Sequence, residues 1–399
     1  MSVEALAHFF DEELQDLASS NLLRSLPPLS CHKATSIAVD GRECLLLCSN
    51  NYLGIADHPK VREAAAAAAT EYGCSASASR LVSGNLDLYD ELESTLARFV
   101  GKEDALVFSS GYAANTGIIQ SVARRGDVIL SDELNHASIV DGCRLSRADK
   151  KVFRHNDIED LERNVRDCGR YRSRLIVVEG LYSLDGDLAP LVEIVELAAR
   201  YDCAVMVDEA HAVGVLGEEG KGACEFYAVT DSVDIIMGTL GKALGSYGAF
   251  AAGSAAFKQF LVNKARPFIY TTALPPPVLA ASLAAIELVR DEPWRRHQVL
   301  EKAVYFREGL SALGFNVGAS TAQIVPVIAG DANRAVRLSE LLLEEHVFVQ
   351  AIRPPSVPEG KSCLRVTVNA EHTYEQLDAA LAAFRKGRDK LNKRSGVQM

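Results

Sequence analysis

Apolar and polar positions along the chain follow two periods. Seven short, mostly apolar runs stand out: Ala105–Phe108, Val128–Leu130, Lys151–Phe153, Leu175–Val178, Ala204–Val207, Ile235–Met237 and Gly248–Ala252. Segments of helical spacing lie near 112–124, 136–147, 157–166 and 189–200. Apolar strands separated by helices predict a mostly parallel seven-stranded sheet covered on both faces, an α/β fold. Ahead of the sheet the pattern gives an Ala-rich helix over 58–72 and an amphipathic one over 87–101. Beyond Ala273-Leu-Pro-Pro-Pro277 it gives a helix to about Val289 and a long one over 293–313. The tail reads strand 323–328, helix 334–345, strand 348–352, strand 364–368 and helix 373–391, a smaller α/β domain.

The first residues differ from both patterns. Helical spacing over 4–25 (Leu6, Phe9, Phe10, Leu14, Leu17) is expected to stop at Ser25-Leu-Pro-Pro28, because proline cannot continue a helix. Two short β-like pieces, 36–39 and 44–48, lead to Ser49-Asn-Asn-Tyr-Leu-Gly54. The expected organisation is an arm over 1–52, a large domain over 53–290 and a small domain over 291–399.

Charge and cysteine usage narrow the function classes. A formal net charge of −11 argues against a nucleic-acid backbone or an anionic membrane as the main partner. No apolar run approaches the about 20 residues that span a bilayer. The nine cysteines are odd in number and form no C-x-x-C pair, which points to reduced thiols, no zinc site and a cytoplasmic protein. The acidic N-terminus lacks signal-peptide architecture.

Chemistry gathers where ligands bind in such sheets, beyond the carboxyl ends of the strands. In Asp234-Ile-Ile-Met-Gly-Thr-Leu-Gly-Lys-Ala-Leu-Gly-Ser-Tyr-Gly248 a lysine, Lys242, sits among four glycines directly after an apolar run. A lysine in a dry pocket loses its proton more easily and can form a Schiff base; in an open turn it is simply exposed. A P-loop would need a glycine at Ile236 and a hydroxyl at Ala243, so that reading fails. Asp208 ends an apolar strand, where a carboxylate calls for a cationic partner. Strand alternation turns Glu209 to the opposite face. The letters Asp-Glu-Ala-His also occur in helicases, but here without an upstream P-loop.

Ser109-Ser110-Gly111-Tyr112 precedes a helix and is either an ordinary βα turn or a phosphate cradle. His136 opens a helix and is either a cap or a site residue. Arg24 is either a charge at a helix end or a ligand contact. One ligand accounts for a Schiff-base lysine, a carboxylate, a stacking imidazole and a helix N-terminus together. It is pyridoxal phosphate, whose protonated ring nitrogen makes it an electron sink.

Long segments in matching order give a second line of reasoning. Leu23-Arg-Ser-Leu-Pro-Pro28, Ser49–Gly54, Ser79-Arg-Leu-Val-Ser-Gly84, Ser131-Asp-Glu-Leu-Asn-His-Ala-Ser138, Ser183-Leu-Asp-Gly-Asp187 and Ala351-Ile-Arg-Pro-Pro-Ser-Val-Pro358 resemble the α-oxoamine synthases. These are fold-type I pyridoxal phosphate enzymes that condense an amino acid with an acyl-CoA and release carbon dioxide. The resemblance implies Lys242 as Schiff-base lysine and Cα base, Asp208 at the ring nitrogen, His211 at the ring oxygen and His136 stacked on the ring. It places Ser183 and Glu179 nearby, and Ser110, Gly111, Tyr112 and Thr239 at the phosphate. Thr271 and Thr272 would reach the phosphate of a partner subunit in a homodimer. Arg365 would hold the amino-acid carboxylate, with Asn50 and Ser79 on the substrate side. Arg24 and Arg353 are candidates for the distal acyl carboxylate or for CoA. Most of these segments imply alanine and a pimeloyl thioester, or a pimeloyl carrier protein, as substrates. Asp208-Glu209 is also seen in serine palmitoyl- and aminolevulinate-forming relatives and His211-Ala-Val-Gly214 in glycine-using members, which leaves glycine with acetyl-CoA, or another reaction of the family, as the alternative. A catalytically silent partner subunit is the non-enzymatic alternative.

Overall fold

The computed structural model describes residues 3–30 and 33–395. Contacts group residues 50–300 into one compact unit, and the residues up to Ser49 with those from Glu301 onward into another.

The larger unit is built on a seven-stranded sheet: β1 (Asp104–Phe108), β2 (Val128–Asp132), β3 (Asp149–Phe153), β4 (Arg174–Glu179), β5 (Ala204–Asp208), β6 (Ile235–Thr239) and β7 (Ala249–Gly253). Their order across the sheet is β1-β7-β6-β5-β4-β2-β3. Only β7 runs against its neighbours; the remaining pairs are parallel. Each strand falls on one of the seven expected runs. Both faces of a parallel sheet are covered, so its strands carry apolar residues at nearly every position. Accordingly, every residue of β2, β6 and β7 is buried. Helix Gly111–Val122 lies on the core formed by Leu106, Phe108, Ile129, Val177, Met206 and Met237. Fully burying one such side chain contributes about 1.5–3 kcal/mol.

Helix starts follow local capping chemistry. Ser110 Oγ accepts from Ala113 N at 3.1 Å, and Asp157 caps Ile158–Arg166 by accepting from Asp160 N at 2.8 Å. The stretch between β7 and Ala273, for which the periodicity gives no element, holds two short helices, Ala255–Lys264 and Arg266–Ile269.

In the smaller unit Ile324–Gly330, Ser362–Thr367 and Ala351–Ile352 form an antiparallel sheet. Its helices, including Ala332–Glu344 and Tyr374–Ser395, pack around Phe306, Leu342, Leu364 and Phe384. Two expectations are corrected here. The first helix, Val3–Ser19, stops well before the prolines, and Asn21 takes a left-handed backbone (φ 54°) just after it. The run 348–352 is not one strand. Val347–Phe348 pairs in parallel with Leu45–Leu46, and Ala351–Ile352 then pairs with Leu364 and Cys363 in another sheet. Periodicity registers an apolar run but not the sheet each half joins. Among the described residues no helix is long and apolar enough to cross a membrane.

Candidate active site

The carboxyl ends of β4, β5 and β6 open onto a cavity of about 200 Å³. Glu179 and Asp208 end adjacent strands and are register partners, so both side chains line it. Asp208 is 3% exposed, and neutral donors hold its carboxylate. Asn115 Nδ2 donates to Oδ2 at 2.7 Å, and Ala210 N donates to Oδ1 at 2.9 Å. Glu209 is directed elsewhere, accepting from Ala223 N and Cys224 N at 2.8 and 2.7 Å, as alternation requires.

Lys242 sits in the turn that joins β6 to β7. Gly245 N bonds Lys242 O at 3.0 Å. Gly245 itself has φ +58°, and a Cβ there would lie 2.7 Å from Ala56 N, so this turn requires glycine. Lys242 Nζ is 2.8 Å from His211 Nε2, His211 Nδ1 is 2.7 Å from the Tyr52 hydroxyl, and Tyr52 donates to Asn50 Oδ1 at 3.0 Å. One tautomer fits this chain: the Tyr52 proton goes to Asn50, His211 Nδ1–H donates to Tyr52, and Nε2 accepts from Lys242.

His136 caps helix Ala137–Ser146, with Nδ1 2.7 Å from Ser138 Oγ, and its ring lines the same cavity. His136 is therefore a helix cap whose ring also borders the cavity. Burial keeps the imidazole below its ordinary pKa; Asp208 opposes the effect and Lys242 adds to it, so the ring is neutral at pH 7. Glu179 accepts from His136 N at 2.7 Å and from Ser183 N at 3.2 Å. Burial first, and then the Asp208 charge, push its carboxyl up to about 8.

Gly111, Tyr112 and Thr239 complete the lining. The N–H groups of Gly111 and Tyr112 open a twelve-residue helix and have no intrahelical acceptor. A Cβ on Gly111 would lie 2.9 Å from Thr239 Cγ2, so this helix start packs against Thr239 only because it carries no side chain.

Of the expected site residues, Gly111, Tyr112, His136, Glu179, Asp208, His211, Thr239 and Lys242 line the cavity. Ser110 supports it as a helix cap, Ser183 through Glu179, and Asn50 through Tyr52. Thr271 and Thr272 border a separate, smaller space with Arg80 and Ser109. Ser79 precedes the short turn Arg80–Gly84. Arg24, Arg353 and Arg365 belong to the other compact unit. There Arg24 donates to Pro354 O at 3.2 Å and Arg353 to Leu23 O at 3.4 Å. Burial and the Arg24 charge hold the Arg353 pKa down, as expected of two guanidinium groups drawn close. Three cavity contacts had no signal in the spacing: Asn115, Ser138 and, behind His211, Tyr52.

Pyridoxal phosphate fits this arrangement. A helix N-terminus and a side-chain-free glycine suit its phosphate. The buried Asp208, held by neutral donors alone, suits a protonated ring nitrogen, and an amine stands at Lys242. Among the described residues no three His, Cys, Asp or Glu side chains converge as a metal site.

Comparison with known proteins agrees. The family model for aminotransferases of class I and II matches residues 42–384. The chain belongs to the class I and II aminotransferase family. As a member it has the expected fold, fold-type I, and the expected cofactor, pyridoxal phosphate. It is 48% identical to the 8-amino-7-oxononanoate synthase of Citrifermentans bemidjiense, over 97% of this chain and 99% of that protein. It is 50% identical to the synthase of Geotalea daltonii, over 94% and 96%. Among solved family structures, a serine palmitoyltransferase from S. paucimobilis with a bound PLP–myriocin aldimine superposes with a TM-score of 0.92. It is 32% identical, over 98% of this chain and all of that one. An 8-amino-7-oxononanoate synthase from Francisella tularensis gives a TM-score of 0.75 at 28% identity, over 87% and 98%.

Proposed function

We propose that this enzyme condenses L-alanine with a pimeloyl thioester, with loss of carbon dioxide, to give 8-amino-7-oxononanoate for biotin synthesis. The observation that carries this reading is the likeness to curated synthases of that name, 48–50% identical across nearly the whole of both chains. The cavity supports it, because it gathers the groups that a carbanion chemistry needs.

Bound there, pyridoxal phosphate supplies an electron sink for negative charge at the substrate Cα. Gly111 and Tyr112 N–H groups would hold the phosphate, the Thr239 hydroxyl, which here donates to Ala210 O at 3.2 Å, would turn to it, and Ser110 fixes that helix start. Asp208 keeps a proton on the ring nitrogen. His136, neutral, lies against the ring, and Glu179 anchors the backbone on either side through His136 N and Ser183 N. His211 would donate to the ring oxygen from Nε2–H once Lys242 is engaged with the cofactor, with Tyr52 then donating to Nδ1 in place of Asn50. Lys242 would hold the cofactor, and its amine would remove the Cα proton and return one after carbon dioxide leaves.

Arg365 holds the amino-acid carboxylate, which aligns the Cα–H bond for overlap with the ring. Arg24 and Arg353 take the far carboxylate of the acyl chain or the CoA phosphates, with Asn50 and Ser79 facing the substrate. The enzyme works as a cytoplasmic homodimer in which Thr271 and Thr272 reach the phosphate held by the second copy.

The test is to supply alanine or glycine with pimeloyl-CoA, pimeloyl carrier protein or acetyl-CoA, and to follow thiol release and product mass. Alanine with a pimeloyl thioester should give 8-amino-7-oxononanoate, and the better donor identifies the carrier. Turnover confined to glycine with acetyl-CoA would overturn the reading.

A further inference from the structure

His155 lies outside the cavity, in the loop after the edge strand β3, yet it is tied to two loops that serve the cavity. Neighbouring strands β4, β2 and β3 end side by side. The loop after β2 leads from Asp132 to His136, and the loop after β4 carries Ser183 and Asp187. His155 Nδ1 is 3.0 Å from Asp132 Oδ1, and Nε2 is 2.8 Å from Asp187 Oδ2. Its ring meets Tyr182 edge-on, with centroids 4.4 Å apart.

Neutral donors also reach both carboxylates, while Asp187 Oδ1 is buried with no hydrogen-bond partner among the described residues. Leu134 N and Asn156 N donate to Asp132 at 2.8 and 3.0 Å, and Asn156 Nδ2 donates to Asp187 at 3.0 Å. Asn156 Nδ2 also lies 3.3 Å from Nε2, but the nearer group at each ring nitrogen is a carboxylate oxygen, and a proton on both nitrogens, an imidazolium, matches that pair of acceptors. Burial works against that charge, but the hydrogen bonds and charges of Asp132 and Asp187 outweigh it and raise the pKa to about 10. The Asp132 side chain is fully buried, and those of His155 and Asp187 are 18% and 14% exposed, so solvent screens this bridge weakly.

The same two loops meet again at the cavity floor, where Glu179 accepts from His136 N and Ser183 N. They are therefore joined twice: inside by a carboxyl group between two backbone donors, outside by an imidazolium between two carboxylates. We propose that His155 is a positioning residue, whose ring fastens the His136 loop to the Ser183 loop and so fixes the imidazole that lies against the cofactor. This rests on the placement of His136 at the cofactor proposed above.

The test compares holoenzyme with His155→Gln, Asp187→Asn and the double variant, reading the cofactor dissociation constant and the visible circular dichroism of the bound cofactor. His155→Gln leaves two carboxylates without their shared partner. It should weaken cofactor binding by about tenfold or more and reduce the dichroic band. In the double variant amide faces amide at position 187, Asp132 keeps the Leu134 and Asn156 N–H donors, and part of the loss should be recovered. If His155→Gln lowers only the melting temperature, with affinity and dichroism unchanged, or if the double variant recovers nothing, the proposal fails. Should His155→Gln not fold, Asp187→Asn cuts one arm of the bridge, and the same two readouts decide. A wrong placement of His136 shows differently, as unchanged affinity and dichroism in His136→Ala with His155 intact.

Discussion

Glu179→Gln isolates the most perturbed carboxyl of the cavity. In the folded protein its pKa is raised from 4.5 to about 8, by burial first and then by the Asp208 charge. The unfolded chain releases this proton near its ordinary value, while the folded protein keeps it until about pH 8. The native state therefore binds the extra proton between those limits, and stability falls as pH rises through that window. The penalty is absent below about 4.5 and complete above about 8. Raising a carboxyl pKa that far corresponds to at most about 5 kcal/mol.

Glutamine does not titrate but offers only one acceptor to two backbone donors, His136 N and Ser183 N. Leaving one unmatched costs about 1–3 kcal/mol at every pH. The assay is urea unfolding of cofactor-free enzyme from pH 5 to 9, read as the difference between variant and wild type, in which all other titrations cancel. The variant should be the less stable at pH 5, should close the gap near neutrality and should be the more stable at pH 9. Adding Asp208→Asn to the wild type should move the window to lower pH. Parallel stability curves for wild type and Glu179→Gln would refute the reasoning.

Two further substitutions probe the cavity walls. Gly111→Ala places a methyl 2.9 Å from Thr239 Cγ2, below the about 3.5–4.0 Å of a comfortable carbon contact, and narrows the phosphate cradle. An absorbance titration should show cofactor affinity reduced about tenfold or more, and unchanged affinity would remove the cradle from the account. Asn115→Ala deletes the 2.7 Å bond to the Asp208 carboxylate. It should lower unfolding stability by about 1.5–3 kcal/mol, the range for a hydrogen bond to a charged group; a change below about 0.5 kcal/mol would contradict that role.

What could be read from the chain divides along a physical line. The seven strands were legible because a doubly covered sheet writes itself as continuous apolar runs, and Lys242 and Asp208 were legible because they interrupt such runs at their ends. Asn115 was not. It lies inside helix Gly111–Val122 beside other polar residues, Thr116, Gln120 and Ser121, and nothing in the spacing hints that it alone reaches Asp208, 93 positions away. Tyr52 stood in a segment already singled out, Ser49–Gly54, yet nothing local reveals that its hydroxyl ends on His211. His155 has the same history, since its meaning comes from strand order, which brings the ends of β3, β2 and β4 together. Spacing records what each residue does for its own element. It does not record which distant elements will share an edge.

Borohydride reduction of the holoenzyme, followed by peptide mass analysis, tests the central claim most directly, because it fixes a lysine–cofactor bond where it stands. The account predicts the reduced pyridoxyl phosphate mass on the peptide that contains Lys242, and no labelling in Lys242→Ala. The same mass on a different lysine, or a folded wild-type enzyme that takes up the cofactor and yields no labelled peptide, would contradict it.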